Sequence, residues 1–443
     1  MAPDVWTTGR LTHARFGWVM FGEYDDMRAL GAVLLAAGLV ANPNFTCAAE
    51  FTYSENSSQD IARRLDIPVF YALPKSAWLE LPKTINTTDR LTEFRDPKYK
   101  DNSAHIGLRI VSTKRVGFSK RITQSGLIQT GDILLSFRPE WGGAGVYPNI
   151  QMGVSHAGMA YLAPNGIIRH IDNPMDDETL GRGDFTGEHY RTLKFMHVIR
   201  PRGLTDAQRK NLAAWAQQLA SRVKQIYPKQ VAFNKDYNAP KYRPGRSLDF
   251  VKSFGQAALG QTTASDKPLD MFCSEFAWSL LALRNCDPVN GSAFQGGRIP
   301  SCIKPAMTPM RATGSFITSR SRFTKAGLSD GPLLVIDAMQ LPIAERDALL
   351  DTVFTEDTSR AAKMSEGHRQ VAKDMQPKFE PLKTYYKAVE KGGMSRIQAY
   401  FISRGFRRAL PDNYSPTSYL INTLLPPNNR SRTMDYVATI MFE

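Results

Sequence analysis

A single cysteine, Cys273, stands where an apolar helical pattern begins, in the segment DMFCSEFAWSLLALRNCDP of residues 270–288. A cysteine thiolate is a strong nucleophile, and the free N–H groups of a helix N-terminus favour it by lowering the thiol pKa. A buried cysteine is otherwise a small apolar residue that fills space. The nucleophilic interpretation therefore requires a general base and a group that orients this base.

Among the seven histidines of the chain, His156 is the best candidate for that base. It stands in VSHAGMAYLAPNGIIRHID, which reads as two strands joined by a Pro-Asn-Gly turn. With a three-residue loop, strand alternation places both His170 and Asp172 on the sheet face of His156. The hairpin thus offers a base and a polar partner beside it.

The length of the loop decides how the partner meets the base. A loop of residues 164–166 pairs Ala163 with Ile167. A five-residue loop keeps the same faces and sets Asp172 directly opposite His156. A two-residue loop puts the base and its candidate partners on opposite faces. Either of the first two loops gives the Cys-His-polar triad of a thiol hydrolase.

Four segments of the chain resemble the permuted NlpC-type papain-like amidases. This branch includes the YiiX-like and YaeF-like proteins and is related to lecithin retinol acyltransferase. The segments are TGDILLSF at 130–137, SHAGMAYL at 155–162, IIRHID at 167–172 and FCSEFAW at 272–278. In this branch a Gly-Asp strand and the histidine hairpin precede the cysteine helix, and this sequence has the same order.

The resemblance implies a role for each matching residue. His156 matches the catalytic base, His170 the third polar residue of the triad and Cys273 the nucleophile. The turn between the two histidines is about two residues longer than in the family, which leaves Asp172 as a rival to His170. The implied mechanism is acyl transfer from an amide or ester to the cysteine sulfur.

Three further residues match the motifs of the family. Gly131 and Asp132 match its strand motif, with a structural role, and Glu275 matches the acidic residue of its Cys-Ser-Glu signature. We expect no cofactor, and no metal site, because the cysteine and histidine spacings lack a zinc pattern such as paired C-x-x-C.

The elements that position these residues indicate an α+β fold. We expect a circularly permuted papain-like core with an antiparallel sheet and a cysteine-bearing helix over residues 120–320, where the resemblance lies. A β-containing extension at 50–119 precedes it, and a mainly helical region at 330–443 follows. Residues 229–269 read as a long irregular loop.

One helix of this core has a clear start signal in TDAQRKNLAAWAQQLASRVKQIYP. Thr205 and Gln208 form a capping box. The apolar face of the predicted helix contains Leu212, Trp215, Leu219, Val223 and Ile226.

Residues 1–49 form a leader region, because the segment 27–49 has the pattern of a secretory signal peptide. An arginine at its start, a short apolar run and a small-residue site are typical of such peptides. The segment is preceded by 26 residues, so either Met27 is the true start or the leader is unusually long. A short buried helix is the alternative. Cleavage after Ala49 would export the chain to the periplasm or the extracellular space.

If the chain is exported, two of its four cysteines can form a disulfide bond. Cys47 would leave with the signal peptide. Cys286 and Cys302 both lie in loop-like sequence and are the candidate disulfide pair, which leaves Cys273 as the free thiol.

A net charge of +14 favours an anionic partner such as a wall polymer, phospholipid or nucleic acid. An arginine-rich aromatic segment near the C-terminus offers a surface for such contact; its arginines are Arg396, Arg404, Arg407 and Arg408. A solvated basic face is the alternative interpretation.

The sequence therefore predicts an exported cysteine amidase or peptidase that acts on a cell-envelope or peptidoglycan peptide. A lipid acyltransferase or lipid hydrolase of the same fold is the first alternative. A non-catalytic envelope-binding protein is the second, and nucleic-acid binding is the weakest of the hypotheses.

Overall fold

The structure is a computed structural model, and the chain divides into two units, Met1–Thr46 and Cys47–Glu443. All described residues belong to the second unit. They are 50–64, 72–83, 85–97, 99, 105–136, 156–173, 181–186, 190–222, 246–261, 273–307 and 416–443, with short pieces at 323–324, 328–329, 384, 387–388, 395, 397–398 and 401. The predicted signal segment at 27–49 and the four C-terminal arginines, 396, 404, 407 and 408, lie outside the described residues.

One large sheet organises the described part of the second unit. Its nine strands are β1 (Thr52–Tyr53), β2 (Arg90–Arg95), β3 (Gly107–Thr113), β4 (Ile133–Ser136), β5 (His156–Leu162), β6 (Ile168–Asp172), β7 (Gly181–Gly183), β8 (Phe195–Pro201) and β11 (Met434–Phe442). They lie in the order β1-β2-β3-β11-β8-β4-β5-β6-β7. Two short strands, β9 (Phe323–Thr324) and β10 (Leu328–Ser329), pair separately.

The helices are α1 (Glu55–Arg64), α2 (Phe118–Ser125), α3 (Asp206–Ser221), α4 (Arg246–Ala258), α5 (Cys273–Ala282) and α6 (Pro416–Leu424). Two short 3₁₀ turns lie at Lys75–Ala77 and Gly291–Phe294. Within the described ranges, no helix has the length and hydropathy needed to span a membrane.

The sheet separates two apolar cores, because alternate residues of each strand point to opposite faces. Leu135 and Met159 belong to the larger core, which contains side chains of α3, α4, α5 and α6. Leu134 and Ala160 belong to the smaller core, to which α2 contributes Ile122. Both faces of the central strands are therefore covered.

The predicted start of α3 is confirmed. The side chain of Thr205 accepts from the backbone of Gln208, and Gln208 in turn accepts from the backbone of Thr205, so both halves of the capping box are formed. Leu212, Trp215 and Leu219 are buried on the predicted face. Val223 and Ile226 lie outside the described residues.

The α+β class is confirmed, but the sheet is mixed rather than antiparallel. β1 pairs with β2 in parallel, and β11 pairs with β3 in parallel. The remaining neighbours are antiparallel. Segment 50–119 contains β1, β2 and β3, and these strands belong to the same sheet as the strands of the predicted core.

The expectation of a mainly helical region at 330–443 is wrong for its last segment. Met434–Phe442 forms β11, which lies between β3 and β8 near the middle of the sheet. Its sequence, MDYVATIMF, is rich in the β-branched and aromatic residues that suit a strand buried on both faces. Its partners are far away in the chain, so local sequence does not reveal the pairing.

The expectation of an irregular loop at 229–269 is also wrong in part, because α4 occupies Arg246–Ala258. Val251, Phe254 and Ala258 are buried in the larger core. Their spacing of three and four residues is that of one helical face.

Candidate active site

Helix α5 begins at Cys273, the position that the sequence predicts. All ten of its residues are buried, which agrees with its apolar sequence. Neighbouring elements hold its first turns: Tyr419 of α6 donates to the carbonyl oxygen of Ser274 at 2.8 Å. The ring of Phe276 meets that of Phe254 edge to face at a centroid distance of 5.6 Å. The start of α5 is therefore fixed by packing on several sides.

The sulfur of Cys273 lies against the backbone at the start of β5. Backbone N–H groups of Ala157, Ser274 and Cys273 lie close enough to lower the thiol pKa. Because Ala157 follows His156 directly, this contact brings the sulfur to the end of the strand that bears the candidate base. By alternation, the side chain of His156 belongs to the opposite face from Ala157, so the site forms at the strand end rather than over one face.

The pKa of Cys273 is raised to about 12, so the expected lowering is wrong for this state of the protein. Burial is the main cause, and the nearby carboxylate of Asp172 raises the pKa further. The three backbone N–H groups oppose this rise but do not outweigh it. The Cys273 thiol is consequently neutral at pH 7.

The hairpin of β5 and β6 adopts the three-residue loop. The N–H of Ala163 donates to the carbonyl of Ile167 at 2.9 Å, and Gly166 has a φ of +74°, which suits glycine in a tight turn. Ala160 is opposite His170. In this register His170 and Asp172 share the face of His156.

Asp172 contacts His156 through the shortest polar contact of the site, between Nε2 of the imidazole and Oδ2 of the carboxylate. Both side chains are buried. One step further along the hairpin register, the residue opposite Asp172 is Gly158, so the contact with His156 runs diagonally between the strands. Asp172 is therefore the residue that orients the candidate base.

His170 lies on the side of Asp172 that faces away from His156. Its Nδ1 lies 3.1 Å from Oδ1 of Asp172, and its Nε2 lies 3.0 Å from the backbone carbonyl oxygen of Asp184. A carbonyl oxygen only accepts, so Nε2 of His170 carries a proton. The ring also stacks on Tyr190 with a centroid distance of 3.9 Å. The structure thus brings both candidate orienting residues together: Asp172 contacts the side chain of His156, whereas His170 contacts Asp172.

Gly158 makes room for this arrangement. A Cβ atom at this position would lie 3.0 Å from Cβ of Asp172 and 3.0 Å from the hydroxyl oxygen of Tyr190. Such contacts are tighter than side chains normally tolerate, so a larger residue would displace the carboxylate.

Gly131 and Asp132 have structural contacts. Gly131 has a φ of +91°, and a Cβ there would lie 2.8 Å from a methyl of Leu204. Asp132 is fully buried and binds Arg200 through two hydrogen bonds of 2.8 and 2.7 Å. Burial lowers the pKa of Arg200, but Asp132 outweighs it and the pKa is raised overall. This ion pair fixes the start of β4 against β8.

The structure also places Glu275 and the two cysteines of the predicted disulfide. Glu275 is buried in the first turn of α5. The expected disulfide joins Cys286 to Cys302, with their Cα atoms 5.1 Å apart. Trp215 of α3 donates to the carbonyl of Cys286 at 2.8 Å, so this hydrogen bond holds the residues that follow the cysteine helix against α3.

Sequence reasoning missed three residues that lie beside the candidate site. Ser136, Tyr190 and Asp184 all stand beside a predicted site residue, but on elements whose pairing is not visible in the sequence. The position of Ser136 beside His156 can be inferred only when the register between β4 and β5 is known.

The four polar side chains of the site differ in exposure. Cys273 is 5% exposed, whereas His156 is 1% and both His170 and Asp172 are 0% exposed. All four residues are therefore nearly inaccessible to water in the described part of the chain. The chain matches no protein-family model, no curated protein and no solved structure, so the chemistry of the site must be argued from its own residues.

Proposed function

We propose that the protein is a cysteine-dependent amide hydrolase with a permuted papain-like core. Cys273 is the nucleophile, His156 the general base and Asp172 the orienting residue. The observation that carries the proposal is the contact of His156 with Asp172, next to Ala157, whose backbone N–H is close enough to the Cys273 sulfur to lower its pKa. A buried acid, base and nucleophile in this order form the catalytic unit of thiol hydrolases.

The tautomer of His156 follows from its contact. Its Nε2 faces the carboxylate of Asp172 and donates to it, which leaves Nδ1 as the nitrogen that accepts the thiol proton. The negative charge of Asp172 then stabilises the imidazolium that forms. Because the pKa of Cys273 is raised to about 12, proton transfer to His156 accompanies the attack instead of preceding it.

The reaction proceeds in two acyl transfers. The sulfur of Cys273 forms a bond with the carbonyl carbon, and the carbonyl π electrons move to its oxygen. The backbone N–H of Cys273, at the helix start, stabilises this oxyanion. His156 then gives its proton to the leaving nitrogen as the carbon–nitrogen bond breaks. Water, deprotonated by His156, releases the acyl group as a carboxylic acid and restores the thiol.

The proposed substrate is a peptide or other amide of the cell envelope. Export of the chain is part of this proposal, and the disulfide between Cys286 and Cys302 supports it because such bridges persist in oxidising compartments. The net charge of +14 suits an anionic wall polymer.

A lipid substrate is the second candidate, since the same chemistry cleaves or transfers ester-linked acyl groups. The observation in its favour is a pair of exposed apolar side chains four residues apart, Ile397 at 70% and Phe401 at 60% exposure. Such side chains beside the arginine-rich sequence suit the surface of an anionic membrane.

Turnover of defined substrates by the full chain tests the proposal. Purified protein is incubated with muropeptides and, separately, with phospholipid vesicles, and the products are identified by mass spectrometry. Loss of an amide bond in the muropeptides supports the amidase, and release or transfer of an acyl chain supports the lipid enzyme. Cys273→Ala should abolish the observed reaction, whereas Ser279→Ala on the same helix should keep it.

A specific outcome opposes both enzymes. Equal product formation by the wild-type and Cys273→Ala proteins would assign the reaction to another group. Tight binding of muropeptides without any Cys273-dependent turnover would favour the non-catalytic binding protein.

A further inference from the structure

Ser136 is the last residue of β4 and lies directly opposite His156 on β5. The preceding pair along the same two strands is Leu135 and Ala157, whose backbone N–H lowers the pKa of Cys273. Residues directly opposite on antiparallel strands point to the same face with Cβ atoms about 5 Å apart. The side chain of Ser136 therefore stands beside the base, on the flank away from Asp172.

The hydroxyl of Ser136 is buried and has no hydrogen-bond partner among the protein groups that the structure describes. The whole residue is only 2% exposed. On its other side, Ser136 is opposite Met196 of β8, an apolar side chain. A buried hydroxyl without a partner is unfavourable, and native proteins keep few of them.

Some other described serines satisfy their hydroxyl groups locally, whereas Ser119, Ser274 and Ser279 have buried hydroxyl groups without a partner, as Ser136 does. Ser125 donates to the carbonyl of Ile122 at 2.9 Å, and Ser221 donates to that of Gln218 at 2.7 Å. β4 pairs through its backbone with a strand on each side, and no protein group among the described residues bonds to the Ser136 hydroxyl. Its position beside His156 makes this hydroxyl available to a molecule that binds at the site.

We propose that the hydroxyl of Ser136 donates a hydrogen bond to the carbonyl oxygen of the substrate that Cys273 attacks. The inference rests on the proposed function and adds to it a second donor, beside the backbone N–H of Cys273, for the oxygen that becomes negative. It also restricts the substrate class to acyl compounds whose carbonyl oxygen is free to accept at this position.

Two thiol reagents distinguish this role without knowledge of the natural substrate. p-Nitrophenyl acetate is attacked at its carbonyl carbon, so its carbonyl oxygen becomes negative, whereas methyl methanethiosulfonate has no carbonyl group. The rate at which each reagent modifies Cys273 is followed by mass spectrometry in the full chain. Ser136→Ala should slow the acetylation by p-nitrophenyl acetate about 2- to 12-fold, the usual value of one neutral hydrogen bond. The rate with methyl methanethiosulfonate should not change.

Matched variants control for packing and for the presence of a hydroxyl. Ser279→Ala removes another buried hydroxyl without a protein partner, from the same helix as Cys273 but about 9 Å along its axis, and both rates should stay at the wild-type value. Ser136→Thr keeps the hydroxyl and should keep the wild-type ratio of the two rates. Ser136→Ala should melt at the same temperature as the wild type or higher, because it removes an unpaired buried group.

The outcomes separate this inference from the proposed function. Equal ratios in wild type and Ser136→Ala, with Cys273 reactive in both, would overturn the role of Ser136 alone and leave the hydroxyl bound to water only. A lower melting temperature of Ser136→Ala, or a failure to fold, would assign the hydroxyl a structural role and also overturn it. A wild-type Cys273 that reacts with neither reagent would remove the proposed nucleophile and this inference with it.

Discussion

The carboxylate of Asp172 contacts the imidazole of His156 across two neighbouring strands, although the two residues are not directly opposite each other. Gly158 occupies the opposite position and has no side chain to fill the space. The carboxylate therefore leans along the hairpin toward His156, with His170 on its other oxygen. This arrangement favours Asp172 over His170 as the residue that orients the proposed base.

Replacing the two orienters should have unequal effects on turnover. Asp172→Asn removes the charge that stabilises the His156 imidazolium, and we expect a loss of about 10²- to 10⁴-fold in kcat. His170→Gln acts only through Asp172 and should cost roughly tenfold. Steady-state kinetics, with circular dichroism to confirm folding, give the comparison. A larger loss for His170→Gln would return the orienting role to His170.

Gly158→Ala should lower activity without touching any polar group of the site. Its Cβ would lie 3.0 Å from both Asp172 and the Tyr190 hydroxyl, so the carboxylate must shift away from His156. We expect a loss of roughly tenfold in kcat, because small displacements of aligned groups are costly. Gly297→Ala is the control, since a Cβ there meets nothing within 4 Å. Equal activity of Gly158→Ala and wild type would contradict the tight fit.

The buried thiol of Cys273 should make stability depend on pH in the alkaline range. Its pKa is about 12 in the folded protein and 9.0 for a free thiol, so the folded state holds the proton more tightly. Stability is then fully present below pH 9 and is lost as the pH rises toward 12. At pH 10 the loss is on the order of 1 kcal/mol.

Denaturant unfolding at neutral pH and at pH 10 measures this term. The free energy of unfolding should fall between neutral pH and pH 10 by about 1 kcal/mol less in Cys273→Ala than in the wild type, because the variant lacks the thiol. An identical pH dependence in the two proteins would mean that Cys273 is more accessible to water than its packing indicates.

Removal of the disulfide should destabilise the region that ends the cysteine helix. The bridge closes a loop with a sequence separation of 16, for which about 3 kcal/mol of stabilisation is typical. The double variant Cys286→Ala with Cys302→Ala should lose that amount in urea unfolding. Reduced wild type should show a similar loss, and the reductant should leave the double variant unchanged. Three titratable thiols at positions 273, 286 and 302 in the oxidised, folded protein would contradict the bridge.

Local sequence carries the parts of the site that lie within one element or one hairpin. The Pro-Asn-Gly turn predicts a loop that places His170 and Asp172 on the face of His156, and the capping box of Thr205 predicts α3. The choice between the two partners depends on the missing side chain of Gly158, which only the register reveals.

Long-range packing carries the rest. β11 reaches the middle of the sheet from the end of the chain, and its partners in β3 and β8 leave no local signal. The pKa of Cys273 depends on the helices and strands that bury it, so the helix start alone gives the wrong direction. The unpaired hydroxyl of Ser136 likewise becomes visible only when β4 and β5 are aligned.

The most direct test of the catalytic unit is acylation of the full chain by p-nitrophenyl acetate, an activated ester that needs no knowledge of the natural substrate. Mass spectrometry of the digested protein locates the acetyl group, and release of p-nitrophenol gives the rate. We expect acetylation of the peptide that contains Cys273, slowed about 10²- to 10⁴-fold in His156→Ala and absent in Cys273→Ala. Acetylation of Cys273 at the same rate in His156→Ala and wild type, or acetylation only at other residues, would contradict the proposed nucleophile and base.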